Sequence, residues 1–199
     1  MSGVIGVVLA AGAGTRLGGA VPKPAVPFRG RPLLTWPLAA LATGGVEDVV
    51  VVLGAGADAV AADVERGGGT VVMCAAWHEG LSASLRAGVQ AAAARGAPAV
   101  VVVLGDQPLL DGAAVARVVA ARDPGRADAV RATYDGVPGH PTVLESSTFG
   151  RVAALRGDAG ARELLRDAAT RIRLVACDGL GRPDDVDTPQ DLARLEPGG

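Results

Sequence analysis

Residues 9–24, LAAGAGTRLGGAVPKP, place glycines at 12, 14, 18 and 19, an arginine at 16 and a lysine at 23 just behind an apolar run. Bare backbone of this kind lets amide N–H groups approach an anion with no Cβ in the way. Arg16 adds a forked pair of donors and Lys23 a point charge. The prolines on either side of Lys23 stiffen the segment that carries it. The chemistry this predicts is a cradle for a polyphosphate. Two other glycine-loop chemistries fit less well. The dinucleotide fingerprint GxGxxG needs a glycine at 17, where the chain has Leu17, and an acid at the end of the second strand, where LGAG (53–56) has none. The pattern GxxxxGK[ST] fails because Lys23 is followed by Pro24 and by no Ser or Thr. A loop that merely turns the chain would leave Arg16 and Lys23 without a task.

Carboxylates come from two distant segments. LGD (104–106) puts Asp106 just past a buried strand, at the edge where open parallel sheets bind ligands. Near a triphosphate a hard carboxylate suits Mg²⁺, although an Asp two residues before a proline also reads as a turn or cap residue. DDVDTPQDL (184–192) supplies Asp184, Asp185 and Asp187 ahead of a helix start at Thr188–Pro189, where any of the three could serve as a cap instead. The two histidines, His78 and His140, lie in a loop and in a Gly/Pro turn, and no Ser/His/Asp or Cys/His set competes for a catalytic role. In GDAGAR (157–162), Asp158 reads as a helix N-cap and Arg162 as an anion ligand or a plain surface residue.

The elements that must position these residues alternate. Val-rich runs at 4–11, 48–54, 70–75 and 98–106 read as strands buried on both faces. Between them, 32–45, 57–69 and 82–96 read as helices, the last capped by Ser82 and ended by Gly96. This order predicts βαβ units and an α/β fold: a three-layer, Rossmann-like architecture on a mostly parallel mixed sheet. Further along, 111–123 is a helix, 127–134 and 140–145 are strands, 146–156 and 160–169 are helices, 171–178 is a late strand and 188–196 a terminal helix. No linker or internal period divides the chain, so residues 1–199 are expected to form one domain.

Composition narrows the classes. With 199 residues, 49% hydrophobic and 20% charged, the chain can bury one sizeable core. A net charge of −2 offers no field for duplex nucleic acid. No apolar run reaches the roughly 18 residues of a membrane span. The two cysteines are far apart, which fits neither a disulfide framework nor a zinc site, and a reducing cytoplasm is expected.

The stretch LAAGAGTRLG, followed by PKPAVPFRGRPLL, resembles the signature of nucleotidyltransferases of the MobA-like NTP transferase superfamily. HEGLSASLRAG (78–88), LGDQPLL (104–110), GHPTVL (139–144), GDAGARELL (157–165) and VDTPQDL (186–192) are similar to its molybdenum cofactor cytidylyltransferase branch. The resemblance spans almost the whole chain. It implies transfer of CMP from CTP to the phosphate of a molybdopterin-type cofactor, with Mg²⁺ as the metal and a recipient molybdoenzyme as a possible partner. It further implies that Leu9, Ala10, Ala11, Gly12, Gly14, Thr15, Arg16, Lys23, Gly80 and Ser82 contact the nucleotide, with Arg16, Lys23 and Asp106 catalytic. By the same resemblance Asp187 pairs with Asp106 on the metal, with Asp185 the alternative, and His140, Asp158 and Arg162 face the acceptor. LAAG rather than LAGG in the first loop goes with cytosine in this family. Transfer to another phosphorylated acceptor or with GTP, and an NAD(P)H reductase of the nicotine blue type, stay open. So does a non-catalytic molybdopterin carrier, against which the intact Arg16, Lys23, Asp106 and Asp187 count.

Overall fold

The structure is a computed structural model that describes residues 3–12, 14–18, 21–54 and 56–196, for Thr15 the backbone alone. Ala13, Gly19 and Ala20 of the glycine-rich stretch therefore lie outside the described residues.

The alternating pattern folds as β1 (Val4–Ala10), β2 (Pro27–Phe28), β3 (Arg31–Pro32), α1 (Thr35–Thr43), β4 (Val49–Leu53), α2 (Ala61–Arg66), β5 (Gly69–Met73), α3 (Leu81–Ala94) and β6 (Ala99–Leu104). The second half adds α4 (Gly112–Ala120), β7 (Ala129–Tyr134), β8 (Val137–Glu145), α5 (Phe149–Ala154), α6 (Arg162–Arg166), β9 (Ile172–Ala176) and α7 (Pro189–Leu195). Seven strands form one sheet in the order β5-β4-β1-β6-β8-β7-β9. All neighbours run parallel except β8, which is antiparallel to both β6 and β7. Every parallel strand thus ends at the same edge.

The sheet is covered on both faces, which is why its central strands read as continuous apolar runs. On one face Leu38, Leu41, Val64, Val115 and Val118 of α1, α2 and α4 pack over alternate strand residues such as Val8, Val51 and Val101. On the other, Leu85, Val89, Val152 and Leu164 of α3, α5 and α6 cover Val7, Val50 and Val102. The expectation of two buried faces fails for 70–75: β5 is an edge strand, and Met73 is 61% exposed. The helix over 57–69 is also shorter than its pattern, with a 3-10 turn at Ala57–Ala59 before α2.

Two caps decide local geometry. α7 begins with a full capping box between Thr188 and Asp191, so Asp187 is spared from capping. α3 is not capped by Ser82, which lies inside its first turn; the N-cap position is Gly80. Among the described residues no helix is long and apolar enough to cross a membrane.

Candidate active site

The chemistry-bearing residues converge on the sheet's C-terminal edge beside β1 and β6. β1 hands over to the glycine loop, where Gly14 has a left-handed φ of +62° and a Cβ would stand 2.3 Å from the Cβ of Lys23. Glycine here lets the loop backbone lie against the lysine. Lys23 itself opens a 3-10 turn (Lys23–Ala25) held by the Ala25 amide on the Pro22 carbonyl at 2.8 Å and the Leu34 amide on the Pro24 carbonyl at 3.1 Å.

Asp106 arrives from the other strand. The Gly105 amide donates to the Leu9 carbonyl at 2.9 Å, and a Cβ on Gly105 would lie 2.6 Å from that of Ala10. That close approach sets the exit of β6 flush against β1. The Asp106 carbonyl then accepts from the Val186 amide at 2.9 Å. Val186 is fully buried with Phe28, Leu33 and Leu195, and so anchors the acidic segment ahead of α7.

The result is a compact charge cluster. Lys23 Nζ donates to Asp106 Oδ2 at 2.5 Å and to Asp187 Oδ1 at 2.8 Å, and Arg16 reaches Asp187 Oδ2 at 3.1 Å. Burial alone would favour neutral Lys23. The charge of Asp106 and the hydrogen bonds from both carboxylates outweigh it, and the ammonium is held above its ordinary value. Asp184 is taken up by Arg182 and Arg194, while Asp185 Oδ1 accepts from Gln107 Nε2 at 2.8 Å. Of the acids ahead of α7, Asp187 is thus the one that shares a cation with Asp106.

Asp106 Oδ1 is buried and has no hydrogen-bond partner among the described residues. An acceptor-only oxygen left bare next to a second carboxylate fits a divalent cation. No group of three His, Cys, Asp or Glu side chains with metal-ligand geometry occurs among the described residues. Asp106 and Asp187, which share the Lys23 ammonium, are the two carboxylates that could serve such a cation.

Next to this cluster opens a cavity of about 430 Å³, bounded by Leu9–Gly12, Lys23, Asp106 and, across the gap, Gly80 and Asp158. Gly80 has φ +106°, and a Cβ there would meet Asp158 Oδ1 at 2.3 Å, so the 157–160 turn is packed directly on the entrance to α3. Ser82 is not in the cavity. It is 0% exposed, its Oγ donating to the Arg156 carbonyl and accepting from the Gly160 amide, both at 3.1 Å. Its structural work is to hold that turn. Ser84, Leu81, Leu104 and Trp77 line the cavity instead. The i, i+3 spacing of 81 and 84 along α3 is the signal in the sequence that would have found them.

The three expected acceptor residues are not brought into one cavity. Asp158 lines the cavity just described and is no N-cap, since the N-cap of α6 is Ala161. Arg162 lines a separate surface hollow with Arg151 and Arg166. His140 lies on β8, where its carbonyl accepts from the Tyr134 hydroxyl at 2.9 Å. Burial, and secondarily the charge of Arg131, push its imidazole down to about 4, so it is neutral at physiological pH.

Known proteins share this arrangement of chain. Nicotine blue oxidoreductase of Paenarthrobacter nicotinovorans is 37% identical over 96% of this chain and 96% of its own length. The crystal structure of Rv0371c from Mycobacterium tuberculosis H37Rv superposes with a TM-score of 0.79 at 33% identity, covering 96% of this chain and 97% of that one. A second structure of that protein, in complex with manganese, gives 0.72 at 31% identity over 96% and 97%. A nucleotidyl transferase from Methanothermobacter thermautotrophicus superposes with a TM-score of 0.81 at 25% identity, covering 97% and 95%. Residues 6–173 match the model of the MobA-like NTP transferase domain. With that match over most of its length, on a seven-stranded mixed sheet of the same design, the chain belongs to the MobA-like NTP transferase family of nucleotidyltransferases.

Proposed function

We propose that this protein transfers CMP from CTP to the phosphate monoester of a molybdopterin-type cofactor, acting as a single domain in the cytoplasm. The observation that carries the reading is the Lys23 ammonium clasped between Asp106 and Asp187 beside the glycine loop. An oxygen of the acceptor phosphate forms a bond to the α-phosphorus of CTP. The bond from that phosphorus to the β-phosphate oxygen breaks, and pyrophosphate leaves with the electron pair. The acceptor phosphate is largely dianionic at neutral pH, so no general base is required. What opposes the step is repulsion between anions, and the chain's residues lower it by charge and position. The amides of Ala11, Gly12 and Gly14 would face the polyphosphate, Arg16 and Lys23 would neutralise it, and Asp106 with Asp187 would hold Mg²⁺. When bound, that ion supplies charge neutralisation on the phosphate oxygens. Gly80, Leu81 and Ser84 border the side of the cavity where the base would lie, and Asp158, which lines the same cavity, would face the acceptor, whereas His140 lies outside that cavity.

A second reading is favoured by one observation, the full-length similarity to an oxidoreductase. The absence of an acid at the Leu53 end of β4 counts against a bound dinucleotide. One experiment separates the two. Pyrophosphate release is measured with CTP, GTP, ATP and UTP, with and without molybdopterin, alongside NADPH oxidation. Release with CTP only when the phosphorylated pterin is present supports the proposal; equal release with GTP overturns the base, and NADPH oxidation without nucleotide turnover overturns the reaction.

A further inference from the structure

Gln107 follows Asp106 at the exit of β6 and is 3% exposed. A polar side chain so deeply buried needs partners, and its amide finds two on one distant segment. Nε2 donates to the Pro183 carbonyl at 3.1 Å and to Asp185 Oδ1 at 2.8 Å. Both hydrogens of the nitrogen are thereby spent on the acidic stretch ahead of α7. Turned over, the amide would set its own oxygen against two others, so these acceptors fix its orientation. Oε1 is left buried with no partner among the described residues. A fold built for stability alone would place an apolar side chain here, because the orphan oxygen offsets much of what the donors gain.

The two segments joined in this way run side by side. Leu110 forms an antiparallel bridge with Gly181, and the Arg182 amide donates to the Leu109 carbonyl at 3.0 Å. At the other end the Val186 amide donates to the Asp106 carbonyl at 2.9 Å. Between these ties Pro183 has no N–H to give, and the Asp184 carboxylate is turned to Arg182 and Arg194. Among the described residues, only the Gln107 amide hydrogen-bonds residues 183–185 to the end of β6. Asp187 lies two residues past Asp185, so whatever fixes Asp185 bears on how Asp187 meets Asp106.

We propose that Gln107 is a positioning residue for a divalent cation: it holds Asp185 as an anchor and so presents Asp187, rather than Asp185, beside Asp106. Asp185 has the same carboxylate on the same short stem, and the Gln107 amide keeps one of its oxygens occupied. The backbone ties at Arg182 and Val186 then leave Asp187 as the acid that shares Lys23 with Asp106. Groups that orient a metal's ligands from outside are worth about 10–100-fold in metal affinity. The inference rests on the two-carboxylate cation site of the transferase reading, but not on which nucleotide or acceptor is used.

The test is Mn²⁺ binding to the full chain, read from the electron paramagnetic resonance of the free ion well below the Tm of every variant, in wild type, Gln107→Leu, Asp185→Asn and Asp185→Ala. Gln107→Leu keeps the bulk and removes the donors, and should bind Mn²⁺ at least about fivefold more weakly than wild type. Asp185→Asn keeps an oxygen for the Gln107 amide and should stay within about threefold of wild type. Asp185→Ala removes that acceptor and should bind at least about fivefold more weakly than Asp185→Asn. A merely structural contact would lower the Tm without separating these affinities. Residue 185 is exposed, which keeps the test valid if Gln107→Leu does not fold. Smaller losses in Gln107→Leu or Asp185→Ala, a larger one in Asp185→Asn, or no uptake of Mn²⁺ by wild type overturn the assignment. Pyrophosphate release from CTP is scored separately. Transfer by wild type with unchanged Mn²⁺ affinity in Gln107→Leu refutes this inference alone, and the expected Mn²⁺ pattern with no transfer refutes the transferase reading alone.

Discussion

Lys23→Met offers the sharpest check on the charge cluster. Methionine keeps most of the stem's packing and removes the ammonium, leaving Asp106 and Asp187 to face each other without it. Breaking a buried pair from one side costs about 3–5 kcal/mol, and an exposed pair about 1 kcal/mol or less. The side chains of Lys23, Asp106 and Asp187 are 13%, 23% and 34% exposed, between those limits. We therefore expect a loss of about 2 kcal/mol in the presence of EDTA, read as a Tm lower by about 4–8 °C in a chain of this size. Because Lys23 is held above its ordinary value, its contribution is complete below the unfolded value and fades only as pH rises through the higher folded one. The gap between variant and wild type should accordingly be flat from about pH 6 to 9. Mg²⁺ or Mn²⁺ should then raise the Tm of the variant more than that of wild type. In wild type the ion must displace an ammonium from both carboxylates, and in the variant it enters free; binding at a hundred times Kd adds about 2.7 kcal/mol. Thermal unfolding by circular dichroism, with EDTA and with each ion, measures both effects. An unchanged Tm in EDTA, or a metal shift no larger than in wild type, refutes the reasoning.

Three further outcomes follow from local geometry. Gly80→Ala puts a Cβ at φ +106° and 2.3 Å from Asp158 Oδ1, and should cost about 1–3 kcal/mol while weakening CTP binding, read by urea unfolding and nucleotide titration. Glu145→Gln breaks a two-pronged contact with Arg122, Nε and Nη2 both at 2.8 Å between side chains 13% and 7% exposed, and should cost about 2–4 kcal/mol in the same unfolding assay. Asp191 is held at about 2, first by the Thr188 hydroxyl and then by Arg194, so the native state binds fewer protons than the unfolded chain between about pH 4 and 2. Stability should fall as pH drops through that window, and Asp191→Ala should flatten the fall.

Much of the fold could be read from the chain because its signals are local. Continuous valine runs identified the strands at 4–10, 49–53 and 99–104, since burial on both faces removes any need for polar alternation. Thr188–Pro189 announced a helix through capping chemistry that needs only a neighbour three residues away. Ser82 misled because a serine at the head of an apolar helix suits a cap by type, while its true partners, Arg156 and Gly160, come from a turn more than seventy residues distant. The exposed character of β5 was hidden for a similar reason: an edge strand and a central one can share a composition, and only the sheet order tells them apart.

By itself the sequence determined that a glycine-rich loop with two cations would meet carboxylates at the edge of a parallel sheet, because strand order and glycine chemistry are written in short runs of residues. Only the tertiary structure decided which carboxylates those are. Asp184, Asp185 and Asp187 are alike in composition, and what separates them is a buried Val186 that anchors the segment, Arg182 and Arg194 that take the first, Gln107 that takes the second, and Lys23 that joins the third to Asp106. Those contacts join residues up to 164 positions apart, and a chain brings such groups together only by packing its core.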